Sequence, residues 1–192
     1  MFLAGGDRTM LSDRGAAALL EPADIPALDG ADHLHLSGYV LLDPTSRAAG
    51  LAALDAARAA GLTTSVDPQA APALGPGFTE DVRGVDLLLP NAAELAALGG
   101  ADALRDVVGA VAATDGPGPA RWTQRSGTWT ALPPDTDVVD PTGAGDAFDA
   151  GVLVTWLRGA GPATVLEAGC AAGAAAVGRF GARPGGPAEP RY

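Results

Sequence analysis

The stretch VVDPTGAGDAFDAG, Val138 to Gly151, sets Gly143, Ala144 and Gly145 in front of one acid, Asp146, with an apolar run behind. If Thr142 caps a helix starting at Gly143, the N–H groups of Gly143, Ala144 and Gly145 are orphan donors at the positive end of a helix dipole. Without bulky side chains, an anion can approach that backbone closely. Asp146 is ill suited to bind the anion itself. It is well suited to take the proton from a hydroxyl that attacks a phosphoryl group held there. The same string also has a purely structural reading, in which Gly-Ala-Gly lets a helix pack closely and Asp146 complements its dipole. A short glycine motif alone does not decide between them.

The rest of the composition narrows the chemistry. All twelve basic residues are Arg. Without Lys there is no Walker-type phosphate loop, no protein-kinase strand lysine and no Schiff base. The net charge of −11 repels nucleic acid and anionic membrane surfaces, so neither is an expected partner. Phosphate must then be handled by backbone amides and metal ions. The single cysteine, Cys170, allows no internal disulfide and fits a reducing compartment. No run is long and apolar enough to span a bilayer, and the first ten residues carry no secretion signal, so the expected location is the cytoplasm. The 192 residues, 47% hydrophobic, suit one domain with a sizeable core.

Positioning these groups requires strands alternating with helices. DHLHLSGYVLL (32–42) reads as a strand and its exit, and 46–61 as a helix with a Ser cap and a Gly stop. LTTSVDP reads as a strand ending at Asp67, GVDLLLPN as another, and NAAELAALGG as a helix. A further strand is expected near 111–114, a hairpin in ARWTQRSGTWTALPP, and helices over 143–159 and about 162–180. That alternation implies βαβ units, a mostly parallel sheet, and a ligand beyond the strands' carboxyl ends. Asp67, Asn91, Thr114 and Asp140 all fall at expected strand ends and should share that edge.

DPTGAGDAFDAG resembles the C-terminal signature of the PfkB/ribokinase family of carbohydrate kinases, Asp-Thr-Thr-Gly-Ala-Gly-Asp-x-Phe-x-x-Gly, with Pro141 the departure among its first seven positions. LLLPNAAEL resembles the family's Asn-x-x-Glu element, here Asn91 and Glu94. TDGPGPARW resembles its nucleotide loop at Thr114 and Gly116, though Pro117, Gly118 and Pro119 are unusual there. GRFGARPGG resembles the closing segment beside the nucleotide, at Gly181. The resemblance implies an α/β, ribokinase-like three-layer fold and transfer of the γ-phosphoryl of ATP to a carbohydrate hydroxyl. Asp146 is then the base, and the amides of Gly143, Ala144 and Gly145 stabilise the travelling charge. Asn91 and Glu94 organise Mg²⁺ through water and phosphate oxygens. Thr114 and Gly116 line the phosphates, and Cys170 lies near the adenine. Asp140 and the Thr142 carbonyl hold a monovalent cation such as K⁺.

The resemblance covers nearly the whole chain as a single domain, but only about the last two-thirds of a complete family member. The first strands, the β-lid and a Gly-Gly-x-x-x-Asn sugar element find no counterpart, so an inactive nucleotide-binding remnant is the alternative. A homo-oligomer or a complementing partner is the expectation for the uncovered surface. GGDRTMLSDRGAA resembles the strand and turn after that segment, and 185–192 reads as a loose tail. His33 and His35 share a strand face without a third metal ligand. Cys170 reads equally as a small buried thiol, Trp122 and Trp129 as hairpin packing, Arg8 and Arg14 as a solvated strand edge, and Asp67 as a turn cap.

Overall fold

The computed structural model describes residues 2–4, 7–9 and 13–182, with 2–4 and 7–9 described as backbone. The expected tail at 185–192 lies outside them, as does the Arg8 side chain. Strands β1 (Phe2–Ala4) and β2 (Asp7–Thr9) form a small antiparallel pair. The main sheet follows in chain order: β3 (His33–Ser37), β4 (Thr63–Asp67), β5 (Leu87–Leu88), β6 (Ala110–Ala113), β7 (Ala120–Gln124) and β8 (Gly127–Ala131). Its spatial order is the same, β3 to β6 parallel and β7 and β8 antiparallel.

Alternation along the strands builds two cores. Leu36, Val66, Leu88 and Val111 point to one side, where Leu41, Leu54, Phe78 and Leu104 meet them. Those four come from helices α1 (Tyr39–Leu42), α2 (Arg47–Ala59), α3 (Pro76–Asp81) and α5 (Ala101–Leu104). Leu87, Leu89, Ala110, Ala112 and Trp122 point the other way, against Phe148, Val152, Val165, Leu166 and Cys170. Those come from α6 (Ala144–Trp156) and α7 (Pro162–Val177). The short helix α4 (Ala92–Ala97) leaves the carboxyl end of β5. The result is the expected three-layer α/β/α arrangement.

Gly residues let α6 and α7 touch. A Cβ on Gly151 would stand 2.7 Å from the Ala168 carbonyl oxygen, and one on Gly169 2.7 Å from Val152 Cγ2. Trp122 faces Trp129 across the hairpin, as its sequence suggests. Arg14 sits on no strand edge: it donates to the Tyr39 carbonyl at 3.3 Å and pairs with Asp43 at 3.4 Å.

Several local expectations differ from the structure. Ser46 stands at the N-cap position just before α2, but its hydroxyl donates to the Val40 carbonyl and makes no capping bond to the helix. The segment before Asp140 forms no strand; the Val139 and Asp140 amides donate to the Val177 carbonyl at the end of α7. That anchor holds Asp140 beside α7's last turn. Thr142 does not cap α6. Gly143 takes that place with φ of 80°, a conformation Gly adopts without steric cost, and the helix starts at Ala144.

Candidate active site

The site gathers where β4, β5 and β6 end and α6 begins. Asp67 is the last residue of β4. It caps the following turn: Oδ1 accepts the Gln69 amide at 3.1 Å, and Oδ2 accepts the Gln69 side-chain nitrogen. Gln69 has φ of 73°, the one positive φ on a non-glycine among the described residues. Backbone held in that region costs energy and tends to occur at functional turns. Gly38 backs onto the same turn, donating to the Asp67 carbonyl at 2.7 Å, and a Cβ there would meet the Pro68 carbonyl oxygen at 2.4 Å.

Asn91 and Glu94 open α4 as a reciprocal capping box. The Glu94 amide donates to Asn91 Oδ1 at 3.0 Å, and Glu94 Oε2 accepts the Asn91 amide at 2.9 Å. Glu94 Oε1 also accepts Asn91 Nδ2 at 2.6 Å. The motif is thus structural as it stands, and it buries an acid: Glu94 is 3% exposed. Thr114 lies alongside, bridged in parallel to Asn91 with its amide on the Pro90 carbonyl. Gly116 follows in an exposed turn with φ of 54°, closed by the Gly118 amide on the Asp115 carbonyl.

Asp146 and Gly145 are exposed in the first turn of α6, and a Cβ on Gly145 would meet nothing within 4 Å. Among the described residues, the backbone at Gly145 faces open space. One of the three expected donors is spent, since the Ala144 amide turns back on the Pro141 carbonyl at 3.3 Å. Gly143 is pressed against the closing segment: its hypothetical Cβ would stand 2.8 Å from Ala182 Cβ. Asp140 ties these pieces together, Oδ1 accepting the Thr142 amide at 2.9 Å and Oδ2 the Gly181 amide at 3.0 Å. Cys170 sits inside the second core with Sγ 3.7 Å from the Ala131 carbonyl. Burial pushes its thiol up, so it offers no thiolate and no open surface.

Asp149 carries a signal that motif reading passed over. It lies three residues beyond Asp146, hence on the same face of α6, and only 7% of it is exposed. Burial first, then the charges of Asp67, Asp146 and Glu94, push its carboxyl up to about 9. Glu94 is pushed up to about 7, by burial and then by Asp67. Asp67 is pushed up to about 6, by burial and then by Asp146. These shifts place four carboxyl groups within one another's fields, a concentration typical of sites that handle cations or protons. Among the described residues, no three such side chains converge closely enough to hold a metal ion directly.

On the sheet face under α6, the two histidines meet hydroxyls. His33 Nε2 and His35 Nδ1 both lie 2.8 Å from Ser65 Oγ, and His33 Nδ1 lies 2.8 Å from Thr63 Oγ1. No helix among the described residues is long and apolar enough to cross a membrane.

Comparison with known proteins finds relatives of the same family and fold. An ATP-dependent ribose-1-phosphate kinase from Halopiger xanaduensis is 34% identical over 188 residues, spanning 93% of this chain and 60% of that protein. Aminoimidazole riboside kinase from Salmonella enterica, solved with aminoimidazole riboside and an ATP analogue, superposes with a TM-score of 0.74 at 29% identity, over 86% of this chain and 62% of that one. Adenosine kinase from Sinorhizobium meliloti shares the fold, with a TM-score of 0.80 at 24% identity over 87% and 56% of the two chains. The chain therefore spans about 60% of the length of the relatives it matches. The model of the pfkB family carbohydrate kinases matches residues 2–189, and the chain belongs to that family.

Proposed function

We propose that the protein transfers the γ-phosphoryl group of ATP to a hydroxyl of a small sugar or sugar-like acceptor, with Asp146 as general base. The observation that carries this reading is the first turn of α6, where an exposed carboxylate stands beside the backbone of Gly145, which no described residue crowds, at the positive end of a 13-residue helix. The Gly145 amide, with Gly143 beside it, is placed to stabilise charge on the transferring group. Asp146 takes the acceptor proton as the hydroxyl attacks. Thr114 and Gly116 line the remaining phosphates, and the Gly181 turn, held by Asp140, borders the nucleotide. Phosphoryl transfer demands positioning and charge neutralisation more than covalent chemistry, and these residues supply both.

The crowded carboxyls Asp67, Glu94 and Asp149 suit a neighbouring cation. Without a direct three-ligand cluster, Mg²⁺ fits as an ion held by phosphate oxygens and water, with Glu94 and Asn91 orienting that water. Such an ion would neutralise phosphate charge. Asp140 and the Thr142 carbonyl are the residues for a monovalent cation such as K⁺. The riboside and ribose phosphate named for two relatives point to a furanose-bearing acceptor. The single buried thiol and the acidic charge suit cytoplasmic work on a small molecule.

The test is turnover of Mg-ATP against a panel of ribosides, ribose phosphates and hexoses, wild type beside Asp146→Asn. Turnover should fall at least a hundredfold with nucleotide binding retained, as expected for loss of a general base. Equal turnover in both proteins would remove Asp146 from the mechanism. Bound ATP with no turnover on any acceptor would favour the nucleotide-binding remnant.

A further inference from the structure

Among the described residues, Arg14 alone has a buried side-chain nitrogen or oxygen that makes no hydrogen bond, its Nε. Native proteins seldom leave such a donor unmatched, so it calls for a cause. Asp43 Oδ2 stands 3.4 Å from Nε, an ion pair without a hydrogen bond. Asp43 is turned to its own loop, where Oδ1 accepts the Thr45 amide at 2.9 Å and the Thr45 hydroxyl at 2.7 Å. The guanidinium is fixed from another side. Its Cζ lies 5.6 Å from the centre of the Tyr39 ring, and Nη2 donates to the Tyr39 carbonyl at 3.3 Å. Its remaining Nη1 and Nη2 N–H groups meet no partner among the described residues, and the side chain is 31% exposed. Arginines that act as staples in this fold close Nε and Nη2 on one carboxylate, as Arg47 does on Asp81 and Arg83 on Glu80. Arg14 does not. A guanidinium held on an aromatic ring with N–H groups to spare is suited to receive a phosphate or carboxylate.

Hydrogen bonds tie Arg14 to one flank of the site. Tyr39 follows Gly38, whose amide donates to the Asp67 carbonyl at 2.7 Å. Along the carboxyl ends of the strands, Tyr39 comes after β3, Asp67 ends β4, Asn91 comes after β5 and Thr114 after β6. With the nucleotide phosphates at Thr114 and Gly116, the acceptor lies on the β4 and β3 side of them. The end of β3 is one strand, about 4.8 Å, beyond β4. Asp67, Glu94, Asp146 and Asp149 make this ground acidic. An acceptor that carries its own negative group therefore needs a cation beside it. The chain has no Lys, and Arg47, which also follows β3, is closed on Asp81.

We propose that Arg14 is a specificity-determining residue, which holds the phosphate or carboxylate of an anionic sugar acceptor through its free Nη N–H groups. This rests on the kinase reading of the site. Tyr39 keeps the guanidinium in place before the acceptor arrives, so little ordering remains to be done on binding. Asp43 competes for the same charge, but weakly, because it makes no hydrogen bond to Arg14.

The experiment measures kcat/KM of the full chain with ribose 1-phosphate, gluconate and uncharged ribose, for wild type, Arg14→Met and Asp43→Asn. Met keeps the apolar stem against Tyr39 and removes the charge. Arg14→Met should lose roughly 10- to 100-fold on an anionic acceptor, mainly through KM, and stay within about twofold on ribose. A loss with ribose 1-phosphate names the group as phosphate, and a loss with gluconate names it as carboxylate. Asp43→Asn, whose carbonyl still accepts from Thr45, should improve the same acceptor about threefold. That variant decides the matter if Arg14→Met fails to fold. Equal losses on charged and uncharged acceptors would mark Arg14 as a structural staple and overturn the proposal, as would turnover of ribose alone or no gain in a folded Asp43→Asn. If no acceptor is turned over, the proposed reaction fails, and calorimetric titration of ribose 1-phosphate and gluconate reads the anion site by itself. Binding to wild type that weakens in Arg14→Met or tightens in Asp43→Asn upholds the site; absent or unchanged binding overturns it.

Discussion

Replacing Asp149 by Asn should stabilise the protein, and more so at higher pH. The Asp149 carboxyl is 7% exposed and is pushed from an ordinary 3.8 up to about 9. Its folded value lies above its unfolded value. The stability linked to it is therefore fully present below about pH 4, lost as pH rises, and gone above about pH 9. At pH 7 the unfolded chain has released a proton that the folded chain still holds. The gap of about 3 units, at about 1.4 kcal/mol each, sets an upper limit of about 4 kcal/mol. Relaxation and entering water should halve this to about 2 kcal/mol. Asn keeps the shape, does not ionise, and still carries a donor as the protonated acid does. Urea unfolding followed by tryptophan fluorescence would measure the midpoint at pH 5 and pH 8. The Asn variant should gain little at pH 5 and clearly more at pH 8. A gain independent of pH, or a loss at both, would refute the buried, protonated carboxyl.

Gly151→Ala should cost about 1–3 kcal/mol, read by the same unfolding assay, because its Cβ lands 2.7 Å from the Ala168 carbonyl oxygen and 3.0 Å from Ala172 Cβ. Gly143→Ala should weaken ATP binding by calorimetry as well as stability, since its φ of 80° and the Ala182 contact both oppose a side chain at the mouth of α6. Glu94→Ala breaks the capping box and should destabilise by about 1 kcal/mol, while the magnesium dependence of turnover shifts to higher concentration.

The order of elements was legible in the sequence because its causes are local. Gly61 and Gly99 stop helices, Pro90 closes a strand, and strand alternation sends Val66 and Ser65 to opposite faces whatever surrounds them. The spacing of Gly143, Gly145, Asp146, Asn91 and Glu94 likewise pointed to phosphate chemistry, since a helix start and a capping box are written within a few residues. Other features were decided by contacts distant in sequence. Asp140 is anchored by the end of α7 and not by a strand, and Thr142 lost the cap to a left-handed Gly143 pressed on Ala182. Cys170 became a core residue because α7 packs on the hairpin. The raised carboxyl of Asp149 depends on burial and on charges from other elements. Ionisation answers to burial and field, which exist only once those elements have come together.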